Sequence, residues 1–184
     1  MREGLKDGHG EEFALNGNIY KGGYKKGLRK GLGIYKYMAT GEEYDGEWKD
    51  NMKNGNGTYI YSYGEKYFGS WANDKKEGKG TIYYKDKSHF EGYFKKDMIN
   101  GKGKMTYSNG DKYNGEWVNG VKQGKGCYIF AHGDKYEGDF ENDNFNGFGT
   151  YFYHNGEKYE GNFKDGLPHG RGSLIYGNSI YYEG

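Results

Sequence analysis

The sequence has little cysteine, little proline and no long apolar run, and each scarcity excludes a class of protein. Cys127 is the only cysteine in 184 residues, so no disulfide can form within the chain, and this fits a reducing compartment. The single proline, Pro168, and the lack of a three-residue glycine period exclude a collagen helix. No apolar run approaches the roughly 18–20 residues that span a bilayer, and the first residues lack the apolar core of a signal peptide. We therefore expect a soluble, cytoplasmic protein.

The charges nearly cancel, because 27 Lys and Arg residues stand against 26 Asp and Glu residues, for a formal charge of +1. This balance gives no reason to expect nucleic-acid binding. The 36 glycines argue against an α-helical domain, since each would cost about 1 kcal/mol inside a helix. The 22 Tyr, 10 Phe and 3 Trp residues argue against disorder, because disordered segments are poor in aromatic residues.

The dominant feature is a repeat in which an aromatic residue, a glycine and a second aromatic residue are each separated by one position. We call the first of these residues the lead aromatic. Successive lead aromatics are 24 and then 23 residues apart, and a Gly-x-Gly pair begins eleven residues after each of them. The seven units are Tyr20-Gly22-Tyr24, Tyr44-Gly46-Trp48, Tyr67-Gly69-Trp71, Phe90-Gly92-Phe94, Tyr113-Gly115-Trp117, Tyr136-Gly138-Phe140 and Tyr159-Gly161-Phe163. Composition alone does not produce this spacing seven times.

Each unit predicts two antiparallel strands with an aromatic inner face. In the first strand alternate residues share a face, so Tyr113, Gly115 and Trp117 are expected to point the same way. In the second strand the seventeenth position after the lead aromatic is always aromatic: Tyr37, Tyr61, Tyr84, Tyr107, Phe130, Tyr153 and Tyr176. Acidic residues such as Glu42, Glu116 and Glu160 are expected on outward-facing positions or in turns, paired with lysines.

Two kinds of turn alternate with these strands. The seventh position after each lead aromatic is Gly, Asn or Asp, which favours a left-handed backbone there. The other turn contains Asn109-Gly110 or Asn155-Gly156, a dipeptide that favours tight turns of the primed types. Lys87 replaces this glycine in one unit, and the first full unit has an extra residue near 39–41. We expect those two turns to differ locally from the others.

Catalytic and cofactor chemistry has little support in the sequence. The Gly-x-Gly pairs lack the third glycine of a dinucleotide fingerprint and the Gly-Lys-Ser/Thr of a phosphate-binding loop, so we assign them to packing, with an aromatic ring lying across the bare backbone. No serine stands in a Gly-x-Ser-x-Gly elbow. Cys127 and His132 are expected on opposite faces of a strand, and a zinc ion would need ligands from a second molecule. We therefore predict no catalytic residue, cofactor or metal site.

These units and Gly-x-Gly pairs resemble the MORN (membrane occupation and recognition nexus) repeat. The resemblance implies an all-β fold, an elongated, twisted solenoid of antiparallel β-hairpins with one hairpin per repeat of about 23 residues. The chain is then a single array over 1–184, with seven full repeats beginning near 20, 44, 67, 90, 113, 136 and 159 and partial units at 8–19 and 182–184. Tyr24, in place of the usual Trp or Phe, and Phe90, in place of a lead Tyr, are small departures.

The resemblance also implies a non-catalytic scaffold for protein–protein interactions, typically linking the cytoskeleton or cell cortex to membranes. Lipid binding has been proposed for the family and is disputed. A candidate contact with an acidic partner or an anionic lipid is the turn with Lys25, Lys26, Arg29 and Lys30, because the surrounding stretch from Lys21 to Tyr37 contains no acidic residue. A peripheral membrane module is therefore one alternative function.

A second alternative is an adaptor that holds a helical peptide in the aromatic groove. Self-association is also expected, most simply as a homodimer, because an incomplete repeat leaves an open strand edge. The candidate residues for it are Ile175, Tyr176, Ile180, Tyr181 and Tyr182. The array is thus expected in the cytoplasm, associated with the cytoskeleton or a membrane surface.

Overall fold

The computed structural model describes residues 4–177 and 179–183, and these residues form sixteen β-strands and no helix. The strands are β1 (Gly8–Phe13), β2 (Ile19–Lys25), β3 (Leu28–Tyr37), β4 (Glu42–Lys49), β5 (Met52–Ile60), β6 (Lys66–Ala72), β7 (Lys75–Tyr83), β8 (His89–Lys95), β9 (Met98–Thr106), β10 (Lys112–Val118), β11 (Val121–Ile129), β12 (Lys135–Glu141), β13 (Asn144–Phe152), β14 (Glu157–Lys164), β15 (Leu167–Tyr176) and β16 (Ser179–Glu183). In the described residues no helix is long and apolar enough to cross a membrane. The predicted all-β class is confirmed.

The chain divides into two compact units, each an antiparallel array of hairpins. The first comprises Met1–Lys87 and Tyr93–Met98, and in it β1 to β7 lie side by side in sequence order. The second comprises Ser88–Gly92 and Ile99–Gly184, and in it β9 to β16 do the same. From β2 to β15, each even-numbered strand carries a lead aromatic and the following odd-numbered strand carries the Gly-x-Gly pair. One predicted repeat therefore forms one hairpin.

The turn inside each hairpin consists of two residues that both have a left-handed backbone. In the hairpin of β4 and β5 they are Asp50, at φ +50°, and Asn51, at φ +71°. Two central residues with positive φ define a type I′ turn, whose twist matches that of the flanking strands. The left-handed residue predicted at the seventh position is confirmed, and the residue before it shares the conformation. The two-residue turns are Lys26-Gly27, Asp50-Asn51, Asn73-Asp74, Lys96-Asp97, Asn119-Gly120, Asn142-Asp143 and Asp165-Gly166.

The turns between hairpins are of a different type, and the prediction of primed turns at Asn-Gly was wrong. Between β9 and β10, Tyr107 N–H donates to the carbonyl of Asp111 at 2.9 Å, and Gly110 N–H donates to the carbonyl of Tyr107 at 3.0 Å. Of the three loop residues, only Gly110 has positive φ, at +94°. This is a type I turn followed by a left-handed glycine bulge.

The Lys87 turn keeps the geometry of the other between-hairpin turns, so the predicted local difference is wrong there. Lys87 has φ +73°, and its N–H donates to the carbonyl of Tyr84 at 3.1 Å, as Gly110 N–H does to Tyr107. The hairpin closure therefore imposes the left-handed conformation on a lysine. The turn after β3 does differ, since Gly41 N–H there reaches the carbonyl of Tyr37, four residues back, at 2.8 Å.

The two glycines of each Gly-x-Gly pair have separate roles. The first is left-handed, as at Gly55 with φ +63°, and it lies where the register with the preceding strand shifts, between the pairs Gly46–Gly57 and Trp48–Lys53. The second faces a glycine on the preceding strand, and the ring of Tyr44 lies against both Gly46 and Gly57. The predicted packing role of these glycines is confirmed.

The core of each unit is a row of aromatic rings beside these glycines. All fourteen aromatic residues that begin and end the seven motif units are at most 7% exposed. In the first unit the Tyr44 ring meets Trp48 and Trp71 edge to face, with centroids 5.2 and 5.4 Å away. In the second unit Tyr136 meets Phe140 and Phe163 in the same way, at 5.3 and 5.0 Å. The edge of an aromatic ring is partly positive and its face is partly negative, and this attraction favours such edge-to-face contacts.

Polar atoms inside this row are satisfied by the backbone. The lead hydroxyl of Tyr44 donates to the carbonyl of Glu47 at 2.9 Å, and that of Tyr136 donates to Asp139 at 2.9 Å. Trp48 Nε1 donates to the carbonyl of Gly33 at 2.8 Å. Among the described residues no buried side-chain nitrogen or oxygen lacks a hydrogen-bond partner.

Candidate functional site

The side of the sheet that carries the lead aromatics is the candidate functional surface, and we call it the aromatic face. In each unit a second row runs beside the buried core row. It consists of the seventeenth-position aromatics, which we call the tyrosine row: Tyr37, Tyr61 and Tyr84 in the first unit, and Tyr107, Phe130, Tyr153 and Tyr176 in the second. The first six are half-buried and Tyr176 is exposed. In each unit taken by itself, the described residues form one sheet layer, and no second layer packs over this row.

Four positively charged side chains lie on the aromatic face, each against three rings of the core and neighbouring strands. The Arg29 guanidinium is 4.6 Å from the centroid of Trp48 and 4.8 Å from that of Tyr35. Lys53 Nζ is 4.5 Å from Tyr59 and 4.7 Å from Trp71. Lys76 and Lys122 occupy equivalent positions in later repeats, with ring distances between 5.1 and 5.8 Å. We call these four residues the caged cations.

The caged cations occupy the ninth position after the lead aromatic, and the same position elsewhere carries Ile99, Phe145 or Pro168. Phe145 fills its place by stacking on Tyr136 at 3.9 Å. Burial lowers the pKa of Lys53, while the negative charge of Asp74 opposes that effect. A cation over aromatic faces gains about 0.5–2 kcal/mol per contact, depending on its desolvation. These side chains therefore contribute to the packing of the face rather than to a free basic surface.

Each caged cation is also tied to the type I′ turn of the next repeat. The backbone N–H of Lys53 donates to Asp74 Oδ1 at 2.8 Å, and Asp74 N–H donates back to the carbonyl of Lys53 at 3.0 Å. The same bond to a side chain joins Arg29 with Asn51, Lys76 with Asp97 and Lys122 with Asp143. Where the ninth position is Ile99 or Phe145, the partner is Gly120 or Gly166, which bonds only through its backbone.

In each unit the aromatic face has an acidic edge on the other side of its tyrosine row. It consists of acidic residues two positions before a lead aromatic: Glu42 and Glu65 in the first unit, and Asp111, Asp134 and Glu157 in the second. Tyr59 donates its hydroxyl proton to Glu42 Oε2 at 2.9 Å, and Tyr128 donates to Asp111 Oδ2 at 2.7 Å. The expectation that Glu42 faces outward is wrong, because a residue two positions from Tyr44 shares its face. Glu116 is exposed as expected, and Glu160 lies 3.1 Å from Lys158.

Burial raises the pKa of five phenol groups of the tyrosine row, those of Tyr37, Tyr61, Tyr84, Tyr107 and Tyr153. Burial raises the pKa of Tyr61 to about 12, with a further contribution from Asp97. Burial likewise raises the pKa of Tyr107 to about 12, with contributions from Asp143 and Asp111. These hydroxyls accept hydrogen bonds from caged cations: Lys76 Nζ donates to Tyr61 at 3.2 Å and Lys122 Nζ to Tyr107 at 3.4 Å. The face therefore stays uncharged along its tyrosines at neutral pH.

Sequence reasoning did not find the most connected carboxylate of the acidic edge, Asp134. It is 7% exposed and lies between His132 and His154, 3.1 Å from one imidazole and 2.8 Å from the other. Burial alone would raise the pKa of Asp134, but hydrogen bonds from Tyr151, from the backbone and side chain of His154 and from His132 outweigh it and hold the pKa well below the usual range. A signal was present in the sequence, since two adjacent turns each contain a histidine.

The predicted basic turn is only partly a free basic surface. Arg29 is one of the caged cations, and Lys25 Nζ lies 3.7 Å from Asp7. Lys26 and Lys30 are exposed. The structure therefore separates Arg29 from the three lysines of this turn, because the Arg29 side chain lies on the aromatic face.

The predicted self-association residues lie on two paired strands. Ile175 is half-buried on β15 and Tyr176 is 50% exposed at its end. Ile180, Tyr181 and Tyr182 belong to β16, which pairs antiparallel with β15, and their side chains lie outside the described residues. Cys127 is half-buried on β11, and burial raises the pKa of its thiol. Within the described part of the chain, no three or more His, Cys, Asp or Glu side chains are arranged to hold a metal ion.

Comparison with known proteins first gives short stretches of sequence similarity to alsin. The chain is 44% identical over 62 residues to alsin of Rattus norvegicus and 40% identical over 62 residues to alsin of Homo sapiens. In both cases the match covers 31% of this chain and 4% of alsin. The chain thus spans only a small fraction of the length of these relatives.

A solved structure of low sequence identity shares the fold. The G-box domain of the microcephaly protein CPAP superposes with a TM-score of 0.53 and 8% identity, over 95% of this chain and 99% of that domain. The TCP10 domain of Danio rerio CPAP, in complex with a peptide of Danio rerio STIL, gives a TM-score of 0.49 and 12% identity, over 96% of this chain and 83% of that one.

Across most of the chain the match is to the MORN repeat. Seven successive segments correspond to it, at residues 20–38, 44–64, 67–89, 90–112, 113–135, 136–158 and 159–180. Each begins at a lead aromatic, as the spacing of the sequence predicts. The hairpins, their glycine-seated rings and their aromatic face are therefore those of a member of the MORN repeat family.

Proposed function

We propose that this chain is a non-catalytic scaffold that binds a protein partner on its aromatic face. The observation that carries the proposal is the half-buried tyrosine row, which no second layer covers in either unit taken by itself. A sheet with one apolar face normally buries that face against another element. In our proposal a partner protein supplies the layer that covers the aromatic face. Because the tyrosine row repeats from hairpin to hairpin, it suits an extended segment of protein better than a small molecule.

The charges of the face indicate the chemistry of that segment. The acidic edge lies along one side of the tyrosine row, while the cations on the other side are held over rings. A complementary partner is an amphipathic helix with an apolar stripe for the tyrosine row and basic residues beside it, since opposite charges at the rim set orientation and suppress wrong partners. A cytoskeletal or cortical protein that presents such a helix is the partner class we propose.

Site-specific photo-crosslinking tests this surface directly. Tyr107 of the tyrosine row is changed to p-benzoyl-phenylalanine, an aromatic residue that preserves the character of the position. Phe148 is the matched control, because it lies on the opposite face of the same unit and is 53% exposed. After irradiation in an extract of the source cells, we expect a discrete protein adduct from position 107 and none from position 148. The yield from 107 should fall with added salt, which screens the acidic edge.

Equal adducts from both positions, or none from position 107, would contradict the proposal. The adduct is then identified by mass spectrometry, and the crosslinked segment must have the basic amphipathic pattern. A crosslinked segment without that pattern overturns the proposed occupant.

Membrane binding is the second candidate, and the exposure of Lys26 and Lys30 is what favours it. Two free lysines supply only about 2 kcal/mol at an anionic surface, so we expect weak binding at low salt. Co-sedimentation with vesicles containing phosphatidylserine tests this, with Lys26→Ser/Lys30→Ser as the variant and Lys95→Ser as an exposed control outside this turn. Binding that is equal in both variants assigns any attachment to another surface.

A further inference from the structure

A pocket of about 300 Å³ lies beside Arg29 in the first unit, where a later repeat has a tyrosine ring. In that later repeat Lys76 Nζ donates to the hydroxyl of Tyr61, fifteen residues earlier, and lies 5.5 Å from the centroid of its ring. The residue fifteen positions before Arg29 is Ala14, so the ring is missing there. The walls of the pocket include Glu12, Ala14, Asn18, Arg29, Tyr35 and Asn51.

The turn that begins at Ala14 has the geometry of the turns that hold the tyrosine row. Ala14 N–H donates to the carbonyl of Asn18 at 2.9 Å, and Gly17 N–H donates to the carbonyl of Ala14 at 2.9 Å. The corresponding bonds that close the turn at Tyr61 are 2.9 and 3.0 Å long. The pocket therefore results from a small side chain at an equivalent backbone position, and not from a different course of the chain.

Two positions that carry carboxylates in later repeats carry amides beside Arg29. The backbone N–H of Arg29 donates to Asn51 Oδ1 at 2.9 Å, whereas an aspartate accepts the same bond from each caged lysine. Asn18 stands two positions before a lead aromatic, which is the position of the acidic edge. Its Nδ2 donates to the hydroxyl of Tyr35 at 3.1 Å. The pocket therefore lacks the two carboxylates that would compete with an anionic ligand.

Three groups in the walls have donors that are unbonded among the described residues. The Arg29 guanidinium lies over the rings of Trp48 and Tyr35 but makes no hydrogen bond or ion pair there. The Tyr35 hydroxyl accepts from Asn18, so its own proton remains to be donated. Asn51 uses its oxygen on the backbone of Arg29 and keeps the two N–H donors of its Nδ2. These donors call for a ligand that only accepts hydrogen bonds.

The one carboxylate in the walls, that of Glu12, is already paired. It accepts the hydroxyl of Tyr24 at 2.7 Å and lies 3.1 Å from Lys6 Nζ. These hydrogen bonds lower the pKa of Glu12, and the positive charge of Arg29 adds a smaller effect in the same direction. Glu12 therefore stays ionised at neutral pH, and its negative charge favours a singly charged ligand over a doubly charged one.

We propose that this pocket binds a small aromatic carboxylate, with the carboxylate on Arg29 and the aromatic ring in the space beside Ala14. The planar fork of N–H donors in a guanidinium matches the two oxygens of a carboxylate. The ligand thus supplies the ring and the acceptor that a tyrosine and an aspartate supply beside Lys76 and Lys122. A volume of about 300 Å³ lies at the lower end of the range for small-molecule sites. This inference goes beyond the proposed function and does not depend on it, since the ligand binds the chain alone.

Titration of the nitrogen-15-labelled full chain with sodium benzoate, followed by two-dimensional NMR, tests the site. The indole N–H signal of Trp48 should shift, because Arg29 lies over its ring, whereas that of Trp117 in the second unit should not. Benzamide has the same ring without the charge, and it should bind about tenfold more weakly. Acetate has the charge without the ring, and it should also bind more weakly than benzoate. Phenyl phosphate should bind no more tightly than benzoate.

Ala14→Tyr restores the ring of the later repeats and should abolish the shift of the Trp48 signal by benzoate. Leu15→Tyr is the matched control, because it adds the same ring one position further on, where the side chain is exposed. This variant should bind benzoate as the unmodified chain does. Arg29→Lys copies the cation of the later repeats but lacks the planar fork, so its affinity for benzoate should fall about tenfold.

A shift of the Trp48 signal that persists in Ala14→Tyr, or no shift in the unmodified chain, overturns the site. Equal affinities for benzoate and acetate overturn the role of the ring, and tighter binding of phenyl phosphate overturns the ligand class. If Ala14→Tyr does not fold, Arg29→Lys carries the test, and an unchanged affinity in that variant contradicts the role of the guanidinium.

Discussion

A Cβ atom at Gly57 would lie 2.5 Å from the ring of Tyr44, closer than real side chains approach. The ring is at 0% exposure and has no free direction in which to move. We therefore expect Gly57→Ala to lower the free energy of unfolding by about 2–3 kcal/mol, as overpacking of a core does. Denaturant unfolding of the variant measures this.

Gly10→Ala is the matched control, since its Cβ would meet only the ring of Tyr24 at an ordinary 3.8 Å. Its stability should stay within about 0.5 kcal/mol of the unmodified chain, or rise slightly, because alanine restricts the unfolded chain. Equal losses in the two variants would show that glycine matters here for backbone flexibility rather than for ring packing.

Lys87 gives a residue-scale prediction of opposite sign. Its left-handed backbone, at φ +73°, costs an ordinary side chain about 1–2 kcal/mol. Glycine avoids that strain but loses more entropy on folding, so we expect Lys87→Gly to stabilise the chain by about 0.5–1 kcal/mol. Lys85→Gly, in the same turn but without positive φ, should destabilise it slightly. The two denaturation midpoints must move in opposite directions, and a fall for both would contradict the strain argument.

At the residue scale, most of the core residues could be predicted from the sequence. The buried rings and the glycines beneath them were predictable, because their spacing of two positions lies within a single strand and can be recognised without knowing how strands pair. The caged cations were not predictable in this way, since Lys53 meets rings from three strands, on Tyr44, Tyr59 and Trp71. Their recognition requires the register between strands, which a spacing within one strand does not contain.

At the scale of the element, the pairing of strands determines the turn type. Thr106 pairs with Lys112, which leaves five residues between them. The hydrogen bond between Tyr107 and Asp111 closes the hairpin and leaves the three residues 108–110 in the loop. A two-residue turn does not fit this pairing, so the loop is a type I turn followed by a bulge at Gly110. Local dipeptide preference pointed to the wrong turn type because the register, set by the aromatic face on both sides, has priority.

The link between a caged cation and the next turn predicts a coupling between Lys122 and Asp143. Asp143→Gly removes the acceptor of the Lys122 N–H and a carboxylate 3.8 Å from Lys122 Nζ. We expect this change to cost about 1 kcal/mol. Lys122→Ile introduces the residue found at the equivalent position of the preceding repeat, Ile99, and removes the ammonium group next to Asp143.

The double variant Lys122→Ile/Asp143→Gly recreates the Ile99–Gly120 combination found one repeat earlier. Its loss of stability should therefore be smaller than the sum of the two single losses by at least about 0.5 kcal/mol. Denaturant unfolding of the four proteins gives this coupling, and strictly additive losses would show that the two positions act separately.

At the scale of the whole molecule, the raised phenol pKa values predict a stability that falls in alkali. Tyr61 and Tyr107 titrate at about 12 in the folded chain, against about 10 when unfolded. Between these values the folded state binds more protons than the unfolded state, so stability is intact below pH 10 and declines as the pH rises toward 12. Lys53, Lys76 and Lys122 act in the opposite sense, since burial lowers their pKa.

The tyrosines outnumber these three lysines, so the net slope should be negative. Urea midpoints measured from pH 7 to pH 11 check it, together with phenolate absorbance in the folded and the urea-unfolded chain. The buried and half-buried tyrosines should ionise only as the chain unfolds, whereas Tyr63, Tyr83, Tyr93 and Tyr176 are exposed. Ionisation of most of the phenols near pH 10 in a chain that remains folded would contradict the burial argument.

The charge pattern shows what composition could and could not reveal at this scale. A formal charge of +1 and an acid-free stretch around Lys25 were readable. The acidic edge was not, because its members are single residues spaced one repeat apart, and only the pairing of successive hairpins within a unit brings them together. The His132–Asp134–His154 cluster escaped for the same reason.

The bonds between each caged cation and the turn of the next repeat also bear on how such chains are rearranged. The two partners lie in different repeats. A recombination event at a lead aromatic therefore separates them, and each then faces a residue from a different repeat. An exchange that places an Asp-containing turn opposite Ile99, where Gly120 now lies, would leave the new aspartate without a nearby cation. Repeats are therefore interchangeable only within two compatibility groups, cation with Asn or Asp and apolar residue with Gly. Shuffled arrays built by this rule should be recovered more often in selections for folded protein than arrays cut at the same boundaries without it.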